Sequence, residues 1–184
     1  MRSVALGLLA VVFAASATRG ASIGIFSDRG CLSCNATLTA GQPDTLFILG
    51  DTDAESWWGA EFRILGMPAA WSVTGILCPS GNVVAGAPLD STGVGIAFSS
   101  AQGGECVLLC GIVILPATQE ANLTLQITET PASVLGCPEV LLDCGDACDT
   151  RVCVEGGRML VNSSHDCRSP VQAATWSSVK RLYE

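Results

Sequence analysis

Ten cysteines are the residues of this chain whose type and number most clearly imply chemistry: Cys31, Cys34, Cys78, Cys106, Cys110, Cys137, Cys144, Cys148, Cys153 and Cys167. Thiols at this density can be disulfide partners, metal ligands or a redox pair. An even count, all of it downstream of an export leader, favours disulfides. Structural zinc sites use two ligand pairs of similar spacing, whereas only Cys31-Leu32-Ser33-Cys34 has the C-x-x-C form and His165 is the sole histidine. A redox C-x-x-C needs a helix N-terminus to lower a thiol pKa. The flanking SDRGCLSCNATLTAG reads instead as loop. Connectivity stays open, because ten cysteines allow far too many pairings. Spacing favours two groups, a dense one from Cys137 to Cys167 and a sparser one from Cys31 to Cys110. A bridge closing a loop of about 15 residues or more adds roughly 3 kcal/mol, and one between Cys31 and Cys34 much less.

The inventory of catalytic groups is short. His165 is followed by Asp166 and stands two residues before Cys167, and a sequence neighbour on a loop does not make a triad. Neither G-x-S-x-G nor H-E-x-x-H occurs, and Gly103-Gly104 lacks the strand and helix of a phosphate loop. Glu61 can be paired on paper with other carboxylates, but on the polar face of a strand it reads as a solvated charge. The expectation is therefore no catalytic residue, no cofactor and no metal. The rival is a secreted hydrolase with an unrecognised active site, against which the single histidine and the missing nucleophile motif both count.

Two binding features remain. Asp51, Asp53 and Glu55 alternate in a loop like the start of a calcium site, but the distal bidentate glutamate is missing and Trp57 follows, so an acidic turn is expected. Neighbours on a strand face opposite ways. If Trp58 is core, Trp57 is either an edge residue packed under the acidic loop or exposed, and if exposed it is the candidate ligand contact, able to stack on a sugar or anchor a protein. Asn35, Asn122 and Asn162 begin N-x-S/T sequons, glycan acceptors in a eukaryotic secretory pathway and without meaning in a bacterium.

The elements that must position these residues are short and polar-bounded. Met1 and Arg2 precede an apolar run, Val4 to Ala17, that ends in a small-residue cleavage pattern at Ala15-Ser16-Ala17. That is a signal peptide over 1–17, with cleavage possible to 20. The run is too short for a membrane span, so none is expected after cleavage. The chain has 184 residues and a net charge of −8, one unit more negative without Arg2, with Lys180 its only lysine. Nucleic acid and anionic membranes are thereby excluded as partners.

Strands are predicted at Ser22–Ser27, Thr45–Leu49, Trp58–Leu65, Trp71–Leu77, Val94–Ser99, Cys106–Leu115 and Asn122–Glu129. Trp58, Ala60, Phe62 and Ile64 share one face, Glu61 and Arg63 the other. Cys106–Leu115 is apolar on both faces and so central. Beyond Pro131, Val140–Leu142 and Arg151–Val154 are candidates, and Glu155-Gly156-Gly157 is the predicted hairpin turn into Arg158–Val161. Turn signals recur throughout, which fits an all-β, antiparallel two-sheet sandwich. The division is a sandwich over 21–131, its cysteine-rich hairpin extension over 132–168, and a C-terminal amphipathic helix over 169–184. Ser169 caps that helix, and Val171, Thr175, Val179 and Leu182 line one face.

Four strings carry a resemblance: GAEFRILGMPAAW at Gly59–Trp71, GVGIAFSS at Gly93–Ser100 leading into CVLLCGIVIL, RVCVEGGRMLVNSSHDC, and the terminal TWSSVKRLY. Together they resemble uncharacterised secreted proteins of uncultivated bacteria, which implies no particular activity. More distantly, a strand reading GAEF followed by one reading GIAF is similar to cohesin-type, immunoglobulin-like sandwiches. Cohesins bind dockerin modules. The resemblance thus implies an extracellular or periplasmic, non-enzymatic module that binds a protein or a surface glycan, and it places no binding residue on this chain.

Overall fold

Alternating apolar residues make strands only when two sheets can bury the apolar rows between them. In the computed structural model, which describes residues 20–53, 55–142 and 150–167, that is how the chain folds. The leader, Cys144, Cys148 and the expected C-terminal helix lie outside the described residues. Those described form no helix and thirteen strands: β1 (Ser22–Phe26), β2 (Asn35–Ala36), β3 (Asp44–Asp51), β4 (Ser56–Leu65), β5 (Ser72–Leu77), β6 (Val83–Gly86), β7 (Val94–Gly103), β8 (Val107–Leu115), β9 (Leu123–Thr128), β10 (Glu139–Leu142), β11 (Arg151–Cys153), β12 (Glu155–Gly156) and β13 (Arg158–Val161).

One sheet has the order β12-β1-β3-β8-β5, and the larger runs β11-β10-β4-β9-β13-β2, with β7 joined to β4 and β6 to β7. Strand β4 is the hub. Its first half lies between β7 and β10, and its last three residues pair with β9. Ala60, Phe62 and Ile64 point inward from it and meet Ile23, Ile48, Ile96, Leu109, Ile112 and Leu125 in the main core. Strand β8 is flanked on both sides, by β3 and β5, as its two apolar faces suggested.

Among the described residues four disulfides fasten the sandwich: Cys31–Cys106, Cys34–Cys167, Cys78–Cys110 and Cys137–Cys153. The two cysteines of the C-x-x-C are not joined to each other. A positive φ at Cys31 and a loop held by Asp28, whose carboxylate accepts the amides of Gly30, Leu32 and Ser33, leave Cys31 and Cys34 with separate partners. Bridge Cys34–Cys167 also joins the two groups that spacing had kept apart. Together with Phe26 and Leu49, Cys31 and Cys34 form a second, smaller core.

The predicted hairpin through Glu155-Gly156-Gly157 does not form. Strand β11 pairs with β10, β12 runs parallel to β1 in the opposite sheet, and β13 lies between β9 and β2. The chain therefore crosses between sheets where a turn was expected. Gly156 serves close approach: a Cβ there would stand 2.2 Å from the Ile127 carbonyl oxygen, so only glycine lets β12 pass β9. Strands β2 and β6 have no counterpart among the predicted ones, being two and four residues long.

Candidate functional site: a groove on the outer face of the large sheet

Strict alternation along β4 would put Trp58 with Ala60 and Phe62 in the core. Instead Trp57 is fully buried and Trp58 is 39% exposed. The cause is a bulge. Leu141 and Leu142, consecutive on β10, pair with Gly59 and Trp57, and the β4–β7 register shifts over the same step. Trp58 is the extra residue, and it resets which side its neighbours face. Inside, the Trp57 indole lies against Gly50 of β3, where a Cβ would come within 2.6 Å of the ring. Gly50 is thus part of the indole's seat. Trp57, the expected ligand contact, is core, and the exposed tryptophan is Trp58.

Trp58 stands over a groove of about 270 Å³ on the outer face of β11-β10-β4-β7-β6, lined chiefly by Val83, Ala85, Ala97 and Leu141. Small residues on β7 and the open edge strand β6 keep it shallow. All four residues of β6 are exposed, Val83 most of all. No charged side chain occurs from Ile64 to Leu89, so edge strand β6 meets solvent without the charges that usually guard a sheet edge.

At the other end of the groove are three charged groups. Glu61 on β4 and Glu139 on β10 are directly opposite, an unfavourable placement for like charges. Arg151 on β11 resolves it by donating to both, at 3.2 Å to Glu61 and 3.4 Å to Glu139. The Thr130 hydroxyl donates to Glu61 at 2.5 Å, and the Ser133 hydroxyl and Leu135 amide donate to Glu139. The Glu139 side chain is only 2% exposed. Burial pushes its carboxyl up, but the donors from Ser133, Leu135 and Arg151 outweigh that and hold it below its ordinary 4.5. Through these hydrogen bonds the cluster anchors β10 and β11 to β4.

A pH dependence follows. Because the folded pKa of Glu139 lies below the unfolded one, its contribution is complete above the unfolded value and is lost as pH falls through the folded one. Thermal melts from pH 7 down to pH 2 should show a loss of stability in acid that Glu139→Gln flattens. An unchanged slope in the variant would mean that this carboxylate does not report on folding.

The other candidate residues disperse. Asp51 closes β3 and is buried, accepting the Asp53 amide at 3.1 Å, while Thr52 exchanges hydrogen bonds with Gly104. The acidic loop is a self-satisfied turn, and among the described residues no group of His, Cys, Asp or Glu is placed to hold a metal. His165 and Asp166 are exposed on the loop after β13. Trp71 is buried, its indole donating to the Thr118 carbonyl at 3.0 Å. Glu139 and Arg151 carry no motif, and Arg151 is 90 residues from Glu61, so only tertiary pairing brings them together.

No protein-family model matches the chain, and no curated protein matches it. Solved structures do. A cohesin module from a family 33 glycoside hydrolase of Clostridium perfringens superposes with a TM-score of 0.54 at 12% identity, over 79% of this chain and 98% of that one. CaCohA2 of Clostridium acetobutylicum, solved as a complex with a variant of CaDoc0917, gives 0.50 at 11% identity, over 77% and 99%. The fold is cohesin-like. At these identities the likeness is one of architecture, and the Trp58 bulge and the Glu61–Arg151–Glu139 cluster are features read from this cohesin-like chain itself.

Proposed function

We propose that this chain is an exported, non-enzymatic module that binds a protein partner on the outer face of its large sheet, with Trp58 as the anchor. The observation that carries the reading is Trp58, held out of a full core by a bulge and set in an apolar groove beside an uncharged edge. Half-buried tryptophans with apolar surroundings are the residues that dominate protein interfaces. The cohesin-like fold supports a binding role, since CaCohA2 was solved with a bound partner and cohesins as a class bind dockerin modules. Four disulfides and the leader pattern at Met1–Ala17 support an oxidising, extracytoplasmic location.

The test is capture by the oxidised chain, immobilised, from the medium and cell envelope of the organism that makes it. Proteins and polysaccharides are analysed separately, and Trp58→Ala is run in parallel. A captured protein should lose at least about 30-fold in affinity with Trp58→Ala, the effect of removing a strong anchor. A captured protein indifferent to Trp58→Ala would move the interface elsewhere. Polysaccharide alone in the wild-type eluate would replace the protein reading with glycan stacking.

A further inference from the structure

The three sequons are not equivalent once folded. Asn162 is locked: its Oδ1 accepts the Leu38 amide at 2.8 Å, and its Nδ2 donates to the carbonyls of Leu38 and Glu120 at 3.1 and 2.8 Å. Both amide hydrogens are used to tie β13 to the loops before β3 and β9. Asn35 is half-buried in β2 beside the Cys34–Cys167 bridge, with its Oδ1 enclosed and unpaired. Asn122 differs from both. It is exposed on the loop between β8 and β9, with φ at 56°, a left-handed turn that asparagine tolerates. Thr124, which supplies the sequon hydroxyl, is exposed on β9.

A second feature singles out the same residue. Glu120 precedes Asn122 by two positions, making Glu-Ala-Asn-Leu-Thr, whereas Ser33 and Leu160 hold that position before Asn35 and Asn162. The Glu120 carboxylate lies on the same loop, accepting the Thr118 hydroxyl at 2.8 Å. An acidic side chain at that position sets this sequon apart from the other two.

We infer that Asn122 is the site of an N-linked glycan and that Asn35 and Asn162 are not. In the transfer, Nδ2 of Asn122 attacks the anomeric carbon of a lipid-pyrophosphate-linked oligosaccharide. The new bond is N–C, the bond broken is that carbon to the pyrophosphate oxygen, and the lipid pyrophosphate leaves with the electron pair. The amide proton is lost to base, and nothing is oxidised or reduced.

The test is export of the full chain into a periplasm that holds an oligosaccharyltransferase and its lipid-linked oligosaccharide, followed by glycopeptide mapping. One glycan is expected, on Asn122. Asn122→Gln and, as a separate route on an exposed strand position, Thr124→Ala should abolish it. Asn162→Gln should leave it in place. Glycan on Asn35 or Asn162, or oxidised folded protein without glycan on Asn122, overturns the assignment.

Discussion

Trp57→Ala is expected to cost about 3–5 kcal/mol, and Trp58→Ala only about 1–2 kcal/mol, although the two residues are adjacent on one strand. The Trp57 indole is fully enclosed, and its removal leaves a cavity against Gly50. Trp58 keeps 39% of its surface in water, so truncation forfeits less burial and leaves a notch open to solvent instead of a sealed cavity. Chemical denaturation of both variants, with the slope checked for constancy, decides the point. A reversed order of costs would mean that the bulge is misplaced and that Trp58 belongs to the core. Phe62, fully buried on the same strand, lies beyond the bulge and is unaffected by it.

Removing the Cys34–Cys167 bridge by replacing both residues with alanine should lower stability by about 3–5 kcal/mol. The sequence separation is 133 residues, and the chain-entropy estimate for closing a loop of that length is about 5 kcal/mol. Cys31–Cys106 interlocks with it, so part of that restriction survives in the variant and the effect should fall toward the lower figure. Loss of Cys137–Cys153, only 16 residues apart, should cost about 3 kcal/mol at most. Guanidinium unfolding of the three oxidised proteins measures both. A Cys34/Cys167 variant as stable as the parent would show that the remaining bridges already restrict the unfolded chain to the same degree.

Most strands could be read in advance because their signal is local. The alternation in Gly59–Leu65 and Leu123–Thr128, and the apolar run at Val107–Leu115, are written in consecutive residues, and the sandwich needs only that such rows find one another. What failed was local in appearance but set from outside. Gly156 looks like a turn glycine, and its constraint is the Ile127 carbonyl of another strand. Trp57 and Trp58 follow an alternation that the register with β10 overrides.

By itself, then, the sequence determined the class: an all-β sandwich with an even set of cysteines, an acidic charge balance and no recognisable catalytic motif. Only the tertiary structure decided which cysteines meet, which tryptophan faces solvent, and that Glu61, Glu139 and Arg151 share one cluster. Strand propensity and apolar pattern depend on residues within a few positions of each other. Disulfide partners 75 and 133 residues apart, or an ion pair spanning 90, depend on how the sheets are ordered and registered, which no short stretch of sequence contains.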